Sequence, residues 1–159
     1  MKSVYLETTI ISYLAARPSR DLVNAARQQV TRDWWDHRRA AFELFVSDIV
    51  VLESSSGDPE AVERRLSLLN DIAVLEVNSA AQALASGMIE RGALPQGAAD
   101  DALHLATAAV HGMDFILTWN CRHLANAELM ASFEAFFEDS GYEFPIVCTP
   151  DELLESTDV

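Results

Sequence analysis

Short apolar runs alternate along this chain with longer segments in which apolar residues recur every three or four positions. The short runs predict strands at residues 4–6, 44–46, 73–77, 115–118 and 145–149. The longer segments predict helices at residues 8–15, 22–42, 59–71, 79–91, 98–111 and 127–139, with a further helical turn leading to residue 53. This alternation is typical of a parallel sheet with helices on both faces, so we expect an α/β fold.

Residues that commonly begin or end helices support these boundaries. Ser79 and Asn126 are candidates for the N-cap of the helices that follow them. Gly112 suits the position just after a helix. Residues 92–97 contain a proline and two glycines and are predicted to be a loop.

Four polar side chains fall at the ends of these predicted elements: Glu7, Glu53, Asp101 and Asn120. Glu7 follows the first strand directly, Asn120 comes shortly after the fourth, and Glu53 lies one turn after the second. Ligands gather at the carboxyl ends of parallel strands, so these three are expected at one edge of the sheet. The loop at residues 92–97 is long enough for the helix that contains Asp101 to begin at the same edge of the sheet. Acidic groups brought together in this way suit a divalent-metal site.

Each of these residues also has a purely structural explanation. Asp100 and Asp101 would interact favourably with the macrodipole of the helix in whose first turn they lie. Glu7 could be a surface residue after a strand, and Glu53 could simply close a helix. His104 lies three positions after Asp101, on the same helix face, and is expected to be a hydrogen-bonding residue rather than a ligand.

The formal net charge of −14 limits which partners the chain can bind. Affinity for nucleic acid comes largely from neutralising phosphates, so the acidic surplus argues against tight, unassisted binding to DNA or RNA. A metal-dependent nuclease remains compatible with this charge, because bound cations reverse the local field. The charge also favours a basic protein partner.

The length of 159 residues, half of them hydrophobic, predicts one domain over residues 1–159 with a substantial core. The longest apolar stretches are far short of a membrane span, and the residues before the first strand are too few for a secretory signal. Cys121 and Cys148 are the only cysteines, which argues against a disulfide framework and indicates a reducing, cytoplasmic setting. They and the scattered histidines lack zinc-ligand spacing.

Four segments of the chain resemble, in order, the motifs of PIN-domain proteins, specifically the VapC-like toxins of bacterial type II toxin–antitoxin systems. They are residues 5–14 (YLETTIISYL), 46–53 (VSDIVVLE), 101–108 (DALHLATA) and 115–124 (FILTWNCRHL). No single segment is specific, but all four occur in register. The resemblance implies a three-layer α/β/α PIN-like fold with a mainly parallel sheet of four or five strands.

The resemblance also implies a site in which acidic residues hold Mg²⁺ or Mn²⁺ and cut RNA. Glu7, Glu53 and Asp101 would be the metal ligands, and Asn120 completes the four catalytic positions. Glu7 and Asn120 depart from the family pattern, which usually has Asp at both places. The longer Glu side chain would shift the metal, and Asn removes one negative charge, which weakens divalent binding.

We therefore expect a metal-dependent ribonuclease, the toxin of a toxin–antitoxin pair, that hydrolyses RNA phosphodiester bonds. Thr9, Thr118 and Arg122 are the expected substrate-binding residues, and the resemblance implies a cognate antitoxin and a homodimer. The alternative is a PIN-like module that binds RNA or protein with weak or no nuclease activity. A receiver-type acidic pocket also fits the α/β pattern but lacks an Asp directly after the first strand.

Overall fold

The computed structural model describes residues 1–155, in which the strands form one five-stranded parallel sheet. The strands are β1 (Lys2–Leu6), β2 (Phe42–Ser47), β3 (Ala73–Leu75), β4 (Phe115–Leu117) and β5 (Ile146–Cys148). Their order across the sheet is β3-β2-β1-β4-β5, and every neighbouring pair is parallel. The chain thus moves to one side of β1 for β2 and β3, and to the other side for β4 and β5. A crevice for ligands is expected where this direction reverses, between β1 and β4.

Seven α-helices connect the strands in the described part of the chain. They are α1 (Thr8–Ala15), α2 (Leu22–His37), α3 (Asp48–Ser54), α4 (Pro59–Leu69), α5 (Ser79–Glu90), α6 (Ala99–Val110) and α7 (Ala127–Asp139). α1 packs against α2, α3 and α4, whereas α5 packs mainly against α6. The expected three-layer α/β/α fold, with its sheet of five strands, is confirmed. Within residues 1–155 no helix has the length and apolar character to cross a membrane.

The core is built around β1 and α6. Val4, Tyr5 and Leu6 are fully buried, as expected for a central parallel strand covered on both faces. α6 is similarly enclosed, since most of its residues between Ala102 and Ala109 are buried. The residues at the carboxyl end of β1 and in the first turn of α6 are therefore attached to the least exposed elements of the molecule.

Two local predictions are wrong. The helix predicted over residues 22–42 ends at His37, and Phe42 begins β2 after a short 3₁₀ turn. The ring of Phe42 stacks on Trp34 at a centroid distance of 6.0 Å, so the same apolar residue serves the core from a strand. The cap of α5 is Asn78 rather than Ser79, because the Asn78 side chain accepts a hydrogen bond from the backbone N–H of Ala81.

Asp114 joins the amino ends of β1 and β4. Its Oδ2 atom accepts hydrogen bonds from the backbone N–H of Ser3 at 2.8 Å and from the Ser3 hydroxyl at 3.1 Å. The Asp114 N–H donates in return to Ser3 Oγ at 3.0 Å. The backbone hydrogen bond from Ser3 is the main reason that the pKa of Asp114 lies below its usual value. This contact fixes the two central strands at the end of the sheet opposite to the acidic residues described next.

Candidate active site

The carboxyl ends of β1 and β4 lie side by side and carry the first two polar residues of the site. Glu7 follows β1, and its backbone N–H bonds to the carbonyl of Leu117 at 3.0 Å. Thr118 follows β4, and its N–H bonds to the carbonyl of Cys148 at 3.0 Å. Each residue thus extends the ladder of the sheet by one step. The side chains of Glu7 and Thr118 meet directly as a result.

The Glu7 carboxylate is buried, with 5% of the residue exposed, and it is held by three donors. Glu7 Oε1 accepts hydrogen bonds from the hydroxyls of Thr118 at 2.5 Å and Thr9 at 2.6 Å. Glu7 Oε2 accepts one from the backbone N–H of Thr9 at 3.1 Å, which makes Glu7 the N-cap of α1. Burying a charge is costly unless it is hydrogen-bonded, and these donors offset that cost.

Glu53, at the end of α3, has one anchored oxygen and one free oxygen. Glu53 Oε1 accepts hydrogen bonds from the Thr8 hydroxyl at 2.7 Å and from Nε2 of His104 at 2.6 Å. Glu53 Oε2 has no hydrogen-bond partner among residues 1–155, and a third of the side chain is exposed. Partial burial alone would raise the pKa of Glu53, but the hydrogen bond and positive charge of His104 outweigh it and lower the pKa.

His104 lies beneath the carboxylates and is almost fully buried. Its Nδ1 atom is 2.6 Å from the hydroxyl of Tyr5, which is in turn 2.7 Å from Ser47 Oγ. Burial alone would lower the pKa of His104, but the hydrogen bond to Glu53 and the charges of the nearby acids, Glu7 and Asp101 among them, raise it. Burial raises the pKa of Tyr5, so its hydroxyl keeps its proton.

Asp101, in the first turn of α6, reaches the same edge of the sheet. Its Oδ1 accepts a hydrogen bond from Asn120 Nδ2 at 3.1 Å, and its Oδ2 is 2.9 Å from Nδ1 of His123. Asn120 also accepts from the backbone N–H of His123 at 3.0 Å and donates its own N–H to the Thr118 hydroxyl at 2.9 Å. The acidic cluster of Glu7, Glu53, Asp101 and Asn120 thus consists of two hydrogen-bonded groups. Glu7 is linked through Thr118 to Asn120 and Asp101, whereas Glu53 bonds to Thr8 and His104. The charges of all three acids act on His104, which places the two groups close together.

The residues expected to bind substrate take different places. Thr9 and Thr118 both donate to Glu7, and the Thr9 hydroxyl also accepts from the backbone N–H of Trp119 at 2.9 Å. Both threonines therefore hold Glu7 in place in this structure. Arg122 is exposed, and its backbone carbonyl accepts from the side chain of Asn126. Substrate binding by these three residues stays a prediction.

Sequence reasoning missed several members of the cluster. Tyr5 falls inside the strand predicted at residues 4–6, Ser47 directly follows the one predicted at 44–46, and Thr8 begins a predicted helix. Their roles depend on which side chains the folded sheet places opposite them. His123 offered a sequence signal, since it lies in the polar segment after β4, but that segment was equally compatible with a capped loop. Only the contact with Asp101 shows where its ring points.

The acidic cluster has the donor chemistry that Mg²⁺ or Mn²⁺ requires. Glu7, Glu53 and Asp101 offer carboxylate oxygens, and Mg²⁺ commonly takes one or two protein carboxylates and completes its shell with water. Glu53 Oε2 is open to such an ion. No three His, Cys, Asp or Glu residues within 1–155 are already arranged around one ion position. The donor set therefore suits a water-rich cation in its chemistry, and it is not a preformed cage.

Comparison with known proteins identifies the family. A sequence model of the PIN domain matches residues 4–128, which is most of the chain. The chain belongs to the PIN domain family. Among curated proteins, none matches it in sequence.

Solved structures with this fold include a bacterial toxin and a toxin–antitoxin complex. The PIN chain superposes on VapC20 of Mycobacterium tuberculosis, described as a toxin that cleaves the sarcin–ricin loop, with a TM-score of 0.58, 17% identity, and coverage of 82% of this chain and 95% of that one. VapBC2 of Rickettsia felis, bound to promoter DNA, gives 0.58, 15%, 92% and 97% in the same order. FitAcB of Neisseria gonorrhoeae gives 0.57, 18%, 94% and 99%. At such low identity the likeness shows the fold alone.

Proposed function

We propose that this PIN-domain protein is a metal-dependent ribonuclease of the VapC-like toxin type that hydrolyses RNA phosphodiester bonds. The convergence of Glu7, Glu53 and Asp101 at the carboxyl edge of the sheet carries this proposal. Membership of the PIN family and the likeness to a toxin that cleaves RNA support it. The buried carboxylate of Glu7 and the partly buried carboxylates of Glu53 and Asp101 have a desolvation cost that exposed surface acids would not have.

In this proposal Glu7, Glu53 and Asp101 hold a Mg²⁺ or Mn²⁺ ion together with water. When bound, such an ion lowers the pKa of a water molecule and stabilises the negative charge that develops on the phosphate. Glu53 contributes its free Oε2, because Oε1 is already anchored by two donors. Asn120 keeps Asp101 directed toward the site through its side-chain N–H. Thr118 holds Glu7 and so keeps the buried carboxylate in place.

The proposal includes two protein partners. One of the similar structures is a toxin–antitoxin complex from Klebsiella pneumoniae, so we extend the proposal to a cognate antitoxin that covers the site. The charge of −14 favours an antitoxin segment that is basic where it meets the chain. A homodimer belongs to the same proposal.

Calorimetric titration with Mn²⁺ tests the metal site directly. We expect saturable heat with the wild type and its loss in Asp101→Ala, because one of the three carboxylates is removed. Asp100→Ala is the matched control, since Asp100 is the exposed neighbour in the same helical turn and takes no part in the cluster. Equal heats for Asp101→Ala and the wild type would remove the metal site from the proposal.

A cleavage assay tests the reaction. Labelled RNA incubated with the protein and Mn²⁺ should be cut, and chelation by EDTA should stop the cutting. The PIN-like binding module is the second candidate, favoured by Asn120 at an acidic position and by the lack of a preformed three-ligand group in residues 1–155. If the protein is such a binding module, it binds RNA and leaves it intact whether or not Mn²⁺ is present.

A further inference from the structure

We propose that His104, held by Tyr5, is a positioning residue that fixes one oxygen of Glu53 and leaves the other free for the reaction. This inference rests on the proposed ribonuclease function and deepens it, because it explains how a flexible Glu side chain at the end of a short helix is kept in one orientation. The evidence is a chain of hydrogen bonds that runs from the core to the mouth of the site.

The chemistry of the two partners decides how His104 is oriented. A carboxylate only accepts hydrogen bonds, so Nε2 of His104 must carry the proton in its 2.6 Å contact with Glu53. The other ring nitrogen then faces the hydroxyl of Tyr5 at 2.6 Å. A hydroxyl can donate to a neutral ring or accept from a charged one, so this arrangement holds in both protonation states. Turning the ring over would replace both nitrogens by carbons and break both contacts.

The inner end of the chain is rigid. Tyr5 lies in the central strand and is fully buried, and its hydroxyl also contacts Ser47, which is buried at the end of β2. His104 itself is 1% exposed. Of the four linked side chains only Glu53 reaches solvent. The three buried side chains therefore restrict the orientation of the Glu53 carboxylate.

At the outer end of this series of hydrogen bonds, only one of the two carboxylate oxygens of Glu53 is held. Both donors, Thr8 and His104, bond to the same oxygen of Glu53, so Oε1 is held while Oε2 has no hydrogen-bond partner among residues 1–155. His104 contacts an acid at the mouth of the site from within the core, and the loss of a supporting partner of this kind typically costs about 10- to 100-fold in metal affinity or activity.

Two replacements of His104 separate positioning from packing. In His104→Gln the amide nitrogen can take the place of Nε2 and still donate to Glu53, whereas the shorter side chain of His104→Asn can reach only toward Tyr5. We expect His104→Asn to lower kcat by about 10- to 100-fold with little change in KM, and His104→Gln to retain most of the activity. His111→Gln is the matched control, because His111 lies at the other end of α6 and its Nε2 contacts the carbonyl of Glu76. Equal activities of the Asn and Gln variants would overturn the proposal.

Tyr5→Phe tests the hydrogen bond between Tyr5 and His104 without a change in ring size. It serves as a second variant in case His104→Asn fails to fold. We expect a loss of kcat smaller than that of His104→Asn, because Nε2 can still reach Glu53 but the ring has lost its anchor. Tyr142→Phe is the control, since Tyr142 lies outside the cluster. Wild-type kcat in Tyr5→Phe would show that the anchor has no effect on the reaction and would overturn the proposal.

Long-range ¹H–¹⁵N spectra of histidine-labelled protein give a readout that does not depend on activity. The chain has four histidines, so His104 can be assigned from its absence in His104→Gln. We expect a protonated Nε2 whose proton resonance moves strongly in Glu53→Gln, and an unprotonated Nε2 or an unmoved resonance would refute the contact. If the wild type cuts no RNA, the proposed function fails, and these spectra still decide whether His104 holds Glu53.

Discussion

Replacing Thr118 by valine tests how strongly the buried Glu7 carboxylate depends on its donors. Thr118 is fully buried, and its hydroxyl donates to Glu7 Oε1 at 2.5 Å while accepting from the N–H of Asn120 at 2.9 Å. Valine has nearly the same shape and lacks the hydroxyl. The substitution therefore removes one donor from a buried charge and one acceptor from a backbone N–H without opening a cavity.

The magnitude follows from these two contacts. A hydrogen bond to a charged group contributes about 1.5–3 kcal/mol, and one between neutral groups about 1 kcal/mol. The Glu7 contact needs little reduction for solvent screening, since the residue is 5% exposed. Part of the loss is offset because valine buries an additional methyl group. We expect Thr118→Val to lower the free energy of unfolding by about 2–3 kcal/mol, which for a chain of this size lowers Tm by roughly 5–10 °C.

Urea denaturation followed by circular dichroism measures this change, and the chain provides a matched control. Thr107 is also fully buried, and its hydroxyl has no hydrogen-bond partner within residues 1–155. Thr107→Val removes an unsatisfied polar atom, so we expect unchanged or slightly higher stability. If Thr118→Val and Thr107→Val change the free energy of unfolding by the same amount, the donors do not stabilise the Glu7 charge and the reasoning is refuted.

Three further predictions concern other parts of the molecule. The pKa of Asp114 is lowered by its bond from Ser3, so its contribution to stability is present at neutral pH and is lost as the pH falls through the folded-state pKa. Asp114→Asn should be less stable than the wild type at pH 7, and the difference should begin to shrink below the usual value of 3.8 and disappear below the lower folded-state pKa. Burial raises the pKa of the Cys148 thiol to about 12, so iodoacetamide at pH 8 should modify only the exposed Cys121 in the native protein, as counted by mass spectrometry. Gly57 has a φ of +103°, so Gly57→Ala should lower the free energy of unfolding by about 1–2 kcal/mol in urea denaturation.

Each of these three has an outcome that contradicts it. A stability deficit of Asp114→Asn that persists unchanged into acid would mean that its charge is not the stabilising element. Two adducts on the native protein would show that the thiol of Cys148 is accessible. Gly97→Ala is the control for Gly57→Ala, since Gly97 lacks a positive φ and an added Cβ meets no atom within 4 Å. Equal effects at the two glycines would exclude backbone strain as the cause.

Most of the sheet could be predicted because its strands are short apolar runs bounded by polar residues. The run Val4–Leu6 stops at Glu7, and the structure places the end of β1 there. The end of α2 could not be predicted in the same way. Phe42 fits the apolar spacing of the preceding helix as well as that of a strand, and pairing with Lys2 across the sheet decides between them.

The residues of the candidate site also differ in how well the sequence predicts them. Glu7, Glu53 and Asp101 are acids at the ends of elements, and their charge in an apolar context made them visible in the sequence. The roles of Tyr5 and Ser47 could not be predicted, because their polar atoms lie inside buried strands and find their partners only through tertiary packing. Residues that support a site from within the core are therefore the ones that sequence patterns are least able to find.

The dual position of Glu7 links folding of the chain to assembly of the site. The same carboxylate begins α1 by accepting the N–H of Thr9 and stands in the acidic cluster through Thr118. When the first turn of α1 frays, Glu7 loses the two donors that Thr9 supplies and keeps only Thr118. The protection of the Thr9 amide against hydrogen exchange therefore reports how often the acid is released from α1, without substrate or metal.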